Sequence, residues 1–225
     1  AEPPDYEPWE LPVLAEGEGF SVEVPEFAVE SGRESQNCYF VRVPDLNDGE
    51  DVLISRFLMA KNPGSHHLNV FRVNTVQGLD PEGGEPIMLG DLPGRVQYGS
   101  DMHTYTENGQ KPHPCWDSAN WADWPLVANS QESDADDPFT DWTLPENVVF
   151  RFTPGQMLMV QTHYVNAGEQ RTTYGGRVGI NFYSHRPAAS APAPMEMGSL
   201  FATQQNIRIC ESHPEAKFSG TCRFP

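Results

Sequence analysis

Three histidines in two strand-like runs offer the most specific chemistry in this chain: His66 and His67 in SHHLNVFRV, and His163 in LMVQTHYVNA. Imidazole is the commonest protein ligand for copper and zinc. Successive side chains of a strand point to opposite faces, so adjacent histidines in a regular strand cannot serve one ion. For an arbitrary His-His pair, one buried ring and one exposed ring is the commoner outcome. A local twist or bulge would turn both rings inward, and a second strand carrying His163 alongside would complete a three-nitrogen site. Such a site keeps an open position and suits copper, which accepts imidazole in both oxidation states.

Other constellations are weaker. A histidine brace needs an N-terminal histidine, and the sequence begins with Ala1. No H-x-H and no H-E-x-x-H occurs, which disfavours a cupin or a zinc protease, although a three-histidine zinc site stays chemically open. His103, His113, His185 and His213 are scattered through loop-like sequence. The acidic run with Asp134, Asp136, Asp137 and Asp141 lacks the glycine of an EF-hand loop and contains Pro138, so it reads as a solvated loop. Met195 and Met197 read as strand packing rather than as thioether ligands. No G-x-S-x-G elbow and no nucleotide-binding loop is present.

The elements that must hold the histidines are strands. Alternating or β-branched runs recur (GFSVEVPEFAV, NCYFVRV, DVLISRFLMA, HHLNVFRV, VVFRF, QMLMVQTHYV, GGRVGINFYS, MGSLFATQQNIRI), punctuated by NDGED, KNPGS, TPGQ and YGG. This predicts an all-β, antiparallel β-sandwich of the jelly-roll kind. Residues 74–147 carry few strand signals and read as a long irregular region covering the sandwich, anchored by Cys115, Trp116, Trp121, Trp124 and Trp142, with at most one helical turn over 118–124. The proline-rich, acidic residues 1–18 read as an extended arm, 19–187 as the metal-binding domain, and 188–225 as a linker followed by further strands.

With 32 acidic and 14 basic residues among 225, the formal charge is −18. That surface argues against nucleic acid and anionic membranes as partners. No apolar run approaches the roughly 20 residues of a membrane span. Four widely spaced cysteines, Cys38, Cys115, Cys210 and Cys222, form no C-x-x-C motif, and their even number suggests disulfides. A secreted, periplasmic or cell-surface location is therefore expected, with a processed N-terminus at Ala1. The lack of an N-x-S/T sequon fits a bacterial source.

Several of these segments, in this order, resemble one known family. GSHHLNVFR resembles the His-His strand of the copper type II, ascorbate-dependent monooxygenases, the family of peptidylglycine α-hydroxylating monooxygenase and dopamine β-monooxygenase. SVEVPEFAVESGRESQNCYFVRVP resembles the family's opening strands. CWDSANWADWPL and LPENVVFRFTPGQMLMVQTHYVNAGE resemble the segment with the third ligand histidine. The similarity runs from about residue 20 to 185. It implies an eight-stranded jelly roll in which His66, His67 and His163 bind the family's electron-transfer copper, with a reductant such as ascorbate. Family enzymes carry a second domain, where an H-x-H pair and a methionine hold the oxygen-activating copper. Here MEMGSLFATQQ to FSGTCRFP resembles only that domain's entrance strands. The resemblance also implies pairing of Cys38 with Cys115, and leaves Cys210 to Cys222 as the other bridge.

Two function classes follow. One is an oxidoreductase in which this chain supplies electrons for hydroxylation of an organic substrate in a second copper domain. The other is a non-catalytic extracellular copper-binding, structural or assembly module, with a second copy of the chain among its expected partners. A lone copper acting as an oxidase or peroxidase is a third outcome of an open three-histidine site.

Overall fold

The β-branched and aromatic runs up to residue 184 fold as strands, whereas most of MGSLFATQQNIRI lies outside the described residues. The structure is a computed structural model, and it describes residues 8–73, 103–104, 124–131, 137–167, 174–187, 190–199, 219 and 221. In chain order the strands are β1 (Gly19–Val29), β2 (Arg33–Arg42), β3 (Val52–Lys61), β4 (Ser65–Arg72), β5 (His103–Thr104), β6 (Leu126–Ser130), β7 (Phe139–Thr143), β8 (Val148–Phe152), β9 (Met157–Asn166), β10 (Tyr174–Ser184) and β11 (Met195–Glu196). No helix occurs among the described residues, and so none is long and apolar enough to cross a membrane.

Two sheets pack face to face as a β-sandwich. One has the order β1-β10-β3-β8-β11, with β7 also pairing β3; the other has the order β5-β2-β9-β4-β6. Every pairing is antiparallel except the short β11–β8 contact. Between the sheets lie Val22, Ile54, Phe57, Phe152 and Phe182 from the first, and Tyr39, Leu68, Val70, Val160 and Tyr164 from the second. Phe57 alone meets Trp142, Phe150 and Phe182 with ring centroids 5.4, 5.8 and 5.4 Å away. Ring contacts of this kind add to a burial worth about 1.5–3 kcal/mol per large apolar side chain.

Strand parity fixes which residues face outward. On β9, Leu158, Val160 and Tyr164 enter the core, so Gln161 and His163 belong to the outer face of the second sheet. On β4, Leu68 and Val70 point in, and His67 and Asn69 point out. β3 changes parity along its length: Val52 and Ile54 are core residues, and so are Phe57 and Met59. The β10 ladder shifts register at this point, pairing Tyr183 with Arg56 and Ser184 with Ile54, so a bulge absorbs the extra residue.

Within residues 74–147 the structure departs from the sequence reading. β6 and β7 are ordinary ladder strands, on β4 and β3 respectively. Each has five residues, with asparagine, serine, threonine or aspartate among them, too short and polar for periodicity to reveal. Of the proposed aromatic anchors, Trp124 is fully buried and Trp142 stacks on Phe57. Trp116, Trp121 and the turn over 118–123 lie outside the described residues.

From residue 8 to 18 the chain lies along β10. Trp9 is buried, its indole Nε1 donates to Asn62 Oδ1 at 2.8 Å, and the Arg177 guanidinium stacks 4.0 Å over its ring. Further along, Asn181 donates to the Pro12 carbonyl at 2.7 Å.

Candidate metal centre

The site starts with the crossing from one sheet to the other. β3 ends at Lys61, and Asn62-Pro63-Gly64 carries the chain over to β4. Asn62 ties the crossing to β10: its backbone N–H donates to Arg177 O at 3.0 Å and its side chain to Gly175 O at 2.8 Å. Gly64 takes a φ of 88°, a backbone that disfavours any residue with a Cβ, and its carbonyl accepts the Val165 N–H at 3.1 Å.

That contact leads into a bulge. In the β4–β9 ladder Ser65 pairs with Tyr164 and His67 with His163, leaving His66 as the inserted residue. A bulge places two residues of one strand opposite one of its partner and re-aims a side chain. His66 thus shares the outer face with His67. The ring centroids of His66 and His67 lie 5.3 Å apart, and each is 4.9 Å from that of His163. One nitrogen from each ring lies within 4.8 Å of the others, close enough to hold a metal ion.

Hydrogen bonds select which nitrogen of two rings stays free. His67 Nε2 lies 3.2 Å from Gln161 Oε1, which also accepts from Asn69 Nδ2 at 2.8 Å. Asn69 Oδ1 in turn accepts from Asn129 Nδ2. Donation runs one way along this row, so Gln161 Oε1 is an acceptor and His67 carries its proton on Nε2. His163 Nε2 lies 3.0 Å from Glu34 Oε2, and a carboxylate can only accept. His163 Nδ1 is buried and has no hydrogen-bond partner. His66 Nδ1 and His67 Nδ1 are 3.1 Å apart. Two nitrogens bound tetrahedrally at about 2.0–2.1 Å from one ion stand ~3.3 Å apart, so this spacing needs little adjustment.

The site is half dry. His66 is exposed, whereas the His163 side chain is 14% exposed. Burial pushes the His67 imidazolium pKa down to about 4; the neighbouring His163 adds to the shift and the Gln161 hydrogen bond partly opposes it. His67 is therefore a neutral imidazole, and a ready ligand, at neutral pH.

Among the described residues, the metal-ligating cluster comprises these three histidines. His185 sits elsewhere, its backbone N–H on Leu53 O at 2.6 Å. His103 is on β5, while His113 and His213 lie outside the described residues, as do Cys115, Cys210, Cys222, Asp134 and Asp136. Cys38 is buried on β2 and disulfide-bonded. Asp141 is committed to a 2.7 Å ion pair with Arg56, and Asp137 accepts the Phe139 N–H. Met197 packs against the core, but Met195 is 63% exposed, so only one of the two methionines packs as the sequence reading expected.

Gln161, Asn69, Asn129 and Glu34 were not singled out by the sequence reading. Period-two spacing from His163 and His67 would have found Gln161 and Asn69. Glu34 and Asn129 arrive through long-range pairings, β2 with β9 and β6 with β4. Compared with known proteins, the chain matches no family model and no curated sequence.

Proposed function

We propose that His66, His67 and His163 bind a single copper ion and that the chain serves as an electron-transfer module in a secreted or periplasmic oxidoreductase. The observation that carries this reading is the bulge at His66, which turns three imidazoles of two strands toward one point. Structural reasons for a bulge there are weak, since it spends ladder regularity to gather polar rings. Neutral nitrogen donors suit copper in both oxidation states, and copper bound there would supply a one-electron reservoir.

The protein's own groups do the rest. Gln161 and Glu34 hold the outer nitrogens of His67 and His163, so two donors are oriented before any ion arrives. His66 is exposed on the bulge, so a small reductant such as ascorbate would reach the site from that side. The Cys38 disulfide supports an oxidising compartment, with Cys115 as its proposed partner and Cys210–Cys222 as the second bridge. The resemblance to the ascorbate-dependent monooxygenases supports the same assignment. By that resemblance, hydroxylation of an organic substrate would take place at a second copper domain.

Copper titration of the purified chain with electron paramagnetic resonance tests the proposal. One equivalent of copper with a type 2 signal, lost in His163→Ala, is expected. No uptake at micromolar free copper would refute it.

A further inference from the structure

The three imidazoles are chemically alike, but their outer nitrogens meet different partners. His67 Nε2 faces the neutral carbonyl of Gln161, whereas His163 Nε2 faces the carboxylate of Glu34 at 3.0 Å. We infer that Glu34 is a positioning residue that fixes His163 as an Nδ1 ligand and biases the centre toward the divalent state of its ion. This rests on the copper reading of the cluster.

Two observations carry it. Glu34 belongs to β2, where Gln36 pairs with His163 and Glu34 with Val165, so the carboxylate reaches its imidazole diagonally across the ladder. Diagonal neighbours on one sheet face lie within reach of long side chains. Among the described residues, His163 is the group its carboxylate bonds. The second observation lies on the opposite side of the same ring, where His163 Nδ1 is buried without a hydrogen-bond partner. A neutral imidazole carries one proton, and a carboxylate offers no donor. The proton therefore stays on Nε2, and the lone pair of Nδ1 is presented to the cluster.

The charge has its own consequence. Three neutral imidazoles leave a bound ion its full charge, +2 or +1. A carboxylate hydrogen-bonded to one of them lowers the net charge by one unit, which favours the higher oxidation state. Glu34 is 56% exposed, and solvent screening keeps this to a moderate effect. Gln161, being neutral, orients His67 without any such bias.

Two substitutions at this exposed position separate the roles. Glu34→Gln keeps an acceptor and removes the charge, while Glu34→Ala removes both. Imidazole nitrogen NMR of the metal-free chain reads the tautomer. His163 should be protonated on Nε2 in the wild type and shift toward a mixture in Glu34→Ala; the amide of Glu34→Gln can donate as well as accept, so the same spectrum shows whether that variant keeps the wild-type tautomer before its potential is compared. Competition with chelators should show Glu34→Gln losing roughly tenfold in Cu(II) affinity and about threefold in Cu(I) affinity, a rise of about 30 mV in the one-electron potential. Glu34→Ala should weaken both states. An unchanged potential in Glu34→Gln overturns the charge role, and an Nδ1-protonated His163 in the wild type overturns the positioning role. A wild-type chain that takes up no copper refutes the copper reading and the redox half of this inference with it, while the NMR result still decides what Glu34 does to His163.

Discussion

His67 stands directly across the β4–β9 ladder from His163, and His66, its neighbour in sequence, is inserted beside it rather than paired. A strand without the bulge would send one of the two rings into the core side of the sheet. The local backbone, more than the residue types, makes a three-nitrogen cluster.

The rings should be dispensable for folding. All three lie on the outer face, outside the intersheet core formed by Leu68, Val70, Val160 and their partners. His66→Ala and His67→Ala should leave the metal-free unfolding transition close to wild type, within the ±0.5 kcal/mol or so common for surface changes at His66. Metal affinity should fall by roughly a hundredfold or more, because ligand loss from a preformed sandwich costs binding rather than core. Thermal unfolding and copper titration of the same samples check this. A collapse of the fold in His66→Ala would contradict it.

The backbone before the bulge is a more sensitive point. Gly64 has φ 88°, and its carbonyl receives the Val165 N–H. Gly64→Ala should destabilise the chain by about 1–2 kcal/mol, the cost of a Cβ in left-handed backbone. Relief of that strain would move the bulge, so metal affinity should fall although no ligand has been touched. Denaturant unfolding beside metal titration measures both effects. Unchanged affinity would detach the turn from the site.

Much of this was legible in the sequence, for identifiable reasons. The strand class followed from β-branched alternation, and adjacency of His66 and His67 required a bulge if they were to act together. β6 and β7 escaped because their five-residue runs carry too little period. Their identity is set by the ladders with β4 and β3, which are not local properties. Glu34 escaped for a related reason. In a chain with 32 acidic residues one glutamate has no distinguishing mark until β2 is laid against β9.

Acid should weaken the metal-free fold through His67. Its folded pKa is pushed from 6.5 down to about 4, first by burial and then by His163. Between those values the unfolded chain binds a proton that the folded chain refuses. Stability from this group is therefore complete above pH 6.5 and declines as pH falls toward 4. The pH slope in this window should shrink in His67→Asn, whereas above pH 6.5 the substitution should leave the slope unaltered. Denaturant midpoints of both proteins across the window give the comparison, and equal slopes would remove His67 as the cause.

Gln161 should link ligand orientation to stability. It is fully buried, and its Oε1 receives both His67 Nε2 and Asn69 Nδ2. Gln161→Leu keeps the approximate volume but leaves two donors without their acceptor, at about 1–3 kcal/mol for each group left unsatisfied. Freed of its anchor, the His67 ring would lose its preferred tautomer, and metal affinity should drop roughly 10–100-fold. Gln161→Glu preserves an acceptor and should recover ring orientation at the cost of a buried charge. A Leu variant with wild-type affinity would show that the bulge alone positions His67.

The N-terminal arm should steady the crossing that leads to the histidines. Gly179 on β10 leaves the space that Trp9 and Leu11 fill: a Cβ there would come within 3.0 Å of the indole and 2.8 Å of Leu11 Cδ1. The indole also bonds Asn62, the first residue of the crossing to β4. Gly179→Val should therefore lift the arm without touching the site, and Trp9→Ala should release it at a cost of about 3–5 kcal/mol, typical of a buried aromatic. In both variants limited proteolysis should cut the arm faster. Loss of the Trp9 bond leaves Asn62 still tied to β10 through Gly175 O and Arg177 O, so metal affinity should fall by only a small factor. If proteolysis of Gly179→Val matches wild type, the arm is held by Arg177 and Asn181 rather than by the notch at Gly179. If metal affinity falls as far as in a ligand variant, the arm contributes to the site more directly than through Asn62.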